Sequence, residues 1–167
     1  MRKNLLPVAL MFAMWLSGPA VYAQGKAKTG PDPSTIRDPD LEKDSLHNLE
    51  VARNYFKLKK AYVAALKRCE EIIAGNPNFA RIEEALFMAG ESSLLLAENK
   101  GKQRPALYVI YDGTAKRTLS ADEFREVGRE YLTRLIADYP NSSFRKRAEA
   151  DLAALGSAKV NTESRKQ

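Results

Sequence analysis

Two stretches of the chain read alike: 62-YVAALKRCEEIIAGNPN-78 and 125-REVGREYLTRLIADYPN-141. Laid over each other, they put a small residue, Ala65 or Gly128, twelve positions before a proline, Pro77 or Pro140. Cys69 or Leu132 stands eight before each proline, and Ile72-Ile73 or Leu135-Ile136 five and four before. Spacings of three and four place these side chains on one helical face. Proline has no N–H to give the helical ladder and clashes with the preceding turn, so each helix stops there. Each stretch therefore predicts an amphipathic helix that needs an apolar neighbour. The small residue marks where another backbone can approach.

Working outward, a helix precedes each stretch. Leu46, Leu49, Ala52 and Phe56 recur at helical spacing, with Asp44 or Ser45 as the expected cap. The helix through Ile72 is expected to close with Gly75 as its C′ residue. A third helix, about Arg81 to Glu98, carries Ile82, Leu86, Ala89 and Ser93 on one face, with Gly101 as its stop. The fourth opens at Ser120-Ala121-Asp122-Glu123, a capping-box pattern. A fifth starts near Ser143, buries Phe144, Ala148, Leu152 and Leu155, and is closed by Gly156, leaving a polar tail, 157–167. Between the third and fourth helices the texture changes. Ala106 to Tyr111 is rich in β-branched and aromatic residues, Asp112-Gly113 follows, and Thr114 to Leu119 completes a hairpin signal.

The chain has 167 residues, with 27 Lys and Arg, 21 Asp and Glu, one His and one Cys. A single Cys excludes an internal disulfide framework and a cysteine zinc site, and a single His excludes a multi-histidine metal centre. Arg2 and Lys3 precede a nearly unbroken apolar run, Leu5 to Leu16, then a break at Ser17-Gly18-Pro19 and the small-residue pattern Val21-Tyr22-Ala23. That layout predicts a secretory signal peptide over 1–23. A retained anchor is the alternative, but spanning takes about 20 apolar residues. No Cys stands near the cleavage site to carry a lipid. Residues 24–40, with Pro31, Pro33 and Pro39, read as a flexible linker. The formal charge of +6 falls to +4 once 1–23 is removed. Export argues against a nucleic-acid partner, so Lys57-Leu58-Lys59-Lys60 and Arg145-Lys146-Arg147 read as solvated helix faces.

The small-residue-to-proline spacing resembles the second helix of a tetratricopeptide repeat. Leu49, Ala52 and Phe56 fit the opening helix of a first repeat, with Arg53 where a small residue is usual. Leu86, Ala89 and Gly90 fit a second, with Ser93 in place of an aromatic. Adjacent repeats would set the prolines about 34 residues apart; here they stand 63 apart, and Gly90 and Gly128 are 38 apart instead of 12. The hairpin segment, about 99–119, is thus read as an insertion inside the second repeat. The expected fold is all-α: antiparallel tetratricopeptide-like helical hairpins, about two and a half repeats over 41–156, with a β-hairpin-like insertion. With the exported N-terminus, segments 48–98 and 124–155 resemble the BamD-like family of the outer-membrane β-barrel assembly machinery. The resemblance implies a periplasmic scaffold without catalysis. This chain differs from that family in lacking the lipid-anchor cysteine, in its smaller number of repeats and in its insertion.

In folds of that kind the first helix of each pair lines a concave groove. The mapping gives His47, Glu50, Asn54 and Lys57 from the first helix and Glu84, Phe87, Glu91 and Leu94 from the third. Such a mixed lining suits an extended or helical peptide; the plainer reading of the first four is a solvated face. Phe87 and Leu94 lie off the main apolar stripe, to pack under the insertion or meet a partner. Tyr108 and Tyr111 are expected as exposed hairpin contacts. His47 reads as a surface residue and Cys69 as a small core residue, with an intermolecular disulfide as its alternative. Glu70-Glu71 and Glu83-Glu84 are adjacent pairs, so their side chains diverge on a helix and read as solvated charge. No phosphate loop and no Ser/His/Asp order is present, so no catalysis, cofactor or metal is expected. The expected function is an exported protein-interaction scaffold of the cell envelope, linked to outer-membrane protein assembly. Its partner would be a protein or peptide, with the membrane met only through partners. The alternative is a small-ligand or polymer binder whose insertion closes a pocket over the first and third helices.

Overall fold

The computed structural model describes residues 37–164, with side chains through Gly156. The expected signal peptide, most of the expected linker and the side chains of the tail lie outside the described residues. The elements run α1 (Pro39–Arg53), α2 (Tyr62–Gly75), α3 (Ile82–Ala97), β1 (Val109–Asp112), β2 (Ala115–Thr118), α4 (Ala121–Asp138) and α5 (Arg145–Ser164). The fold is mostly helical with a small antiparallel two-stranded sheet, and each helix packs on the next in sequence.

Helix α1 starts earlier than its apolar pattern. Asp38 is the N-cap, accepting from the Asp40 N–H at 2.9 Å, and Pro39 fills the first helical turn. The expected cap at Asp44 or Ser45 is corrected, and with it the extent of the linker. Ser45 lies buried inside α1, where its Oγ accepts from Asn76 Nδ2 at 3.1 Å. No residue of α1 before Ser45 is buried, so the first turn carries no apolar signal. Beyond Arg53 the helix widens into a π-helical turn, Asn54–Lys59, and left-handed Lys60 (φ 50°) ends it.

Gly75 is the last residue of α2 rather than a left-handed stop; buried Asn76 caps the end. Helix α3 is closed by Asn99 (φ 53°), not by Gly101. Asn99 N–H donates to Leu96 O at 2.9 Å and Lys100 N–H to Leu95 O at 2.8 Å, a Schellman arrangement. Gly101 (φ 95°) then turns the chain against α2, where a Cβ would fall 2.5 Å from Tyr62 Cδ2. The capping box forms as expected: Glu123 N–H donates to Ser120 Oγ at 3.2 Å, and Ser120 N–H to Glu123 Oε2 at 2.8 Å. Gly156 does not close α5, which continues to Ser164. A mid-helix glycine costs only about 1 kcal/mol, and its alanine-rich surroundings carry the helix through.

The core is continuous from Leu49 and Leu66 through Leu86 and Leu96 to Phe124, Leu132 and Ala148. Its closest helix contact joins α3 to α4. A Cβ on Gly90 would meet Leu132 Cδ2 at 2.6 Å, and one on Gly128 would meet Leu94 Cδ2 at 2.6 Å and Gly90 O at 3.2 Å. The pairings 90 with 132 and 94 with 128 run in opposite senses, so α3 and α4 are antiparallel. Residues far apart in the chain thus form one tight helix pair across the insertion.

The inserted hairpin pairs Val109 with Thr118 through Asp112 with Ala115, around a two-residue turn of Gly113 (φ 62°) and Thr114. Its strands start later than composition suggests because Pro105–Leu107 is a 3₁₀ turn. The segment is fastened to α2 and α4. Gln103 Oε1 accepts from Ala64 N–H at 3.0 Å, capping α2 where Ala61 offers no side-chain bond. Tyr108 is not the exposed contact expected of it. Its ring lies edge-on to Phe124 at 5.5 Å, and its hydroxyl donates to Glu70 Oε1 at 2.6 Å. Tyr111 is 72% exposed.

Candidate functional site

The eight expected groove residues divide into two groups. His47, Glu50, Asn54 and Lys57 form an exposed stripe along α1 and its π-helical end. On α3, Glu84 and Phe87 are buried, and Glu91 and Leu94 are half-buried. Glu84 is buried, its carboxylate taking Arg53 Nε at 2.6 Å and Nη2 at 2.7 Å, with Arg81 Nη2 at 2.7 Å. Burial alone would raise its pKa, but the bonds and charges of Arg53 and Arg81 outweigh burial and hold it below the ordinary value. Phe87 stacks on Phe144, the residue just before α5, at 4.8 Å, with the Arg147 guanidinium 4.6 Å from its ring centre. Leu94 is half-buried against Gly128. Phe87 therefore packs under α5, not under the insertion, and is closed to a partner. Phe144, Ala148 and Leu152 needed an apolar seat, and they join the core beside α4, with Phe144 on Phe87.

Glu91 lies between Asp151 and Arg147, with Arg147 Nη2 at 3.6 Å. Burial, then the neighbouring Asp151 carboxylate, pushes its pKa up to about 7. The folded protein therefore holds a proton here that an unfolded glutamate releases near pH 4.3. This contribution to stability is full below about pH 4.3 and is lost as pH rises through about 7. We expect wild type to lose about 1–2 kcal/mol between pH 5 and pH 8 through this group. Denaturant melts of Glu91→Gln should lack that component; an unchanged pH slope would contradict it.

Glu70 is not solvated charge. Burial raises its pKa, while the Tyr108 hydroxyl at 2.6 Å and the Tyr131 hydroxyl at 3.4 Å restrain the rise. Tyr108→Phe is expected to cost about 1.5 kcal/mol in denaturant melts, because it strips the closer donor from a largely buried carboxyl. Cys69 is fully buried, and burial pushes its thiol pKa up, which closes the intermolecular-disulfide alternative in the folded protein.

Two concavities stand out among the described residues. A cleft of about 300 Å³ between α3, α4 and α5 is lined by Glu91, Leu94, Arg125, Asp151 and Leu155. A shallow trough of about 800 Å³ follows the outer face of α4 and is bordered by β2. Leu119, Val127 and Ala137 supply its apolar floor, and Arg117, Glu130 and Arg134 its charged rim. Sequence periodicity does not reveal it, because Val127 recurs at helical spacing with Phe124 and Tyr131 and so reads as core. Among the described residues, no group of three His, Cys, Asp or Glu is placed to hold a metal ion.

Fold and surfaces together define a mostly helical chain with an inserted hairpin, an exposed stripe on its first helix and an open trough on its fourth. Comparison with protein-family models, with curated proteins and with solved structures gave no match.

Proposed function

We propose that this chain is a non-catalytic interaction scaffold of the cell envelope, built from about two and a half tetratricopeptide-type hairpins. On this reading the α4 trough seats an amphipathic helix of a partner protein. The observation that carries it is the trough's position. In a run of such hairpins, the second helix of the next pair would pack on the outer face of α4. Among the described residues that face is open, with an apolar floor and a rim of both charge signs. These are the features of helix-in-groove recognition.

Several details support the repeat reading. Ala65 and Cys69 are fully buried at the small and apolar repeat positions of α2. Gly90 faces Gly128, as close-packing positions should. Arg53, the residue out of pattern, turns its side chain to Glu84. Export rests on the N-terminal layout of Arg2, Lys3 and the run to Leu16. A role in outer-membrane protein assembly rests on the BamD-like resemblance. A pocket closed by the insertion over α1 and α3 has no support, because the insertion is fastened to α2 and α4.

The test is retention of envelope proteins by the immobilised chain and by Val127→Asp. Val127 is half-buried, so circular dichroism must first show that the variant keeps its helical content. We expect at least a tenfold loss of the retained species. Retention unchanged by Val127→Asp in a folded protein would overturn the assignment.

A further inference from the structure

The junction of α1 with α2 and the exit of α3 meet at one end of the helices. Lys102 N–H donates to Lys60 O at 2.9 Å, which fixes Lys57, Lys59 and Lys60 beside Lys100, Lys102 and Arg104. All six are exposed. Among the described residues only Lys100 has a carboxylate partner, Glu98. Leu58 projects from the middle of this cluster, 75% exposed, and Leu107 is 57% exposed on the 3₁₀ turn just after Arg104. Leu58 stands in the π-helical turn, an irregularity frequent at functional sites.

We infer that this end is a docking surface for an anionic lipid bilayer. Five of the six cations are lysines. A lysine is a compact point charge on a flexible stem, suited to a diffuse field of headgroups; arginine's planar fork serves bidentate recognition of one carboxylate. An exposed leucine among lysines can enter the headgroup boundary while the ammonium groups remain in water. The proposed contact is with the bilayer surface; among the described residues no helix is long and apolar enough to cross a membrane. This departs from the expectation that the chain meets membranes only through partners, and it does not depend on the α4 trough.

The unit Pro33–Gln167 is compact by itself and holds the whole described core, so it can be tested without the apolar N-terminal run. The probes are vesicles of phosphatidylglycerol with phosphatidylcholine, and of phosphatidylcholine alone, read by co-sedimentation. Each cation near an anionic surface contributes about fivefold in partition. Lys59→Gln with Lys102→Gln should therefore lose about 30-fold on anionic vesicles. Lys43→Gln with Lys146→Gln, an equal charge change at the opposite end, should change binding less than threefold. Leu58→Ser should lose about tenfold. Binding should fall steeply with added salt and be absent on phosphatidylcholine alone. The inference is overturned by absent binding to anionic vesicles, by equal binding to neutral ones, or by a control pair that loses as much as the test pair.

Discussion

Gly90→Val is expected to destabilise the protein by about 3 kcal/mol. The added carbons have no room. The first would fall 2.6 Å from Leu132 Cδ2 and 2.7 Å from Leu132 Cγ, and Leu132 is itself fully buried. Moving Leu132 disturbs the packing beneath it, and moving α4 separates Gly128 from Leu94. Gly156→Ala is the matched control, because nothing lies within 4 Å of its would-be Cβ. There the helix gains propensity, and the variant should be more stable by up to about 1 kcal/mol. Urea denaturation of the three proteins checks both signs. A Gly90→Val protein within about 0.5 kcal/mol of wild type would mean that α3 and α4 do not meet at these glycines.

Arg53→Met is expected to cost about 3 kcal/mol, because it leaves a buried carboxylate with Arg81 as its remaining partner. The double variant Arg53→Met with Glu84→Met should recover much of that loss, since no charge is then stranded. The pair also has a pH signature. The folded Glu84 pKa is depressed, so the pair's contribution is present above the ordinary glutamate value of about 4.3 and disappears as pH falls through the lower, folded value. Melts between pH 3 and pH 6 should show this acid loss in wild type and not in the double variant.

Much of the helical order was legible because it rests on local signals. The Ser120-to-Glu123 capping box, the proline stops and the glycine turn of the hairpin each need only a few neighbouring residues. What was misread depends on distant groups. Asp38 was overlooked because the first turn of α1 buries nothing, although Asp-Pro is itself a start signal. Asn99 rather than Gly101 stops α3, since Gly101 is required for the approach to Tyr62. Glu84 and Phe87 are closed over because periodicity says which face of α3 is exposed in an isolated helix, not that Arg53 and Phe144 will cover it. Glu84, Glu70 and Tyr108 were read as exposed because a polar side chain gives no sign of its burial until its partner is placed. Arg53, Tyr131 and the hairpin supply those partners from 31 to 61 residues away.

On the proposed function, the α4 trough receives a partner helix. This is tested most directly by a photo-crosslinking residue at Thr133, on the trough, in cells with their envelope intact, with Asn48 of α1 as a reference position outside it. A discrete protein adduct is expected from position 133 and not from position 48, mapped on the partner to a segment with apolar residues at helical spacing. Adducts absent from position 133, or found equally from both positions, would contradict it.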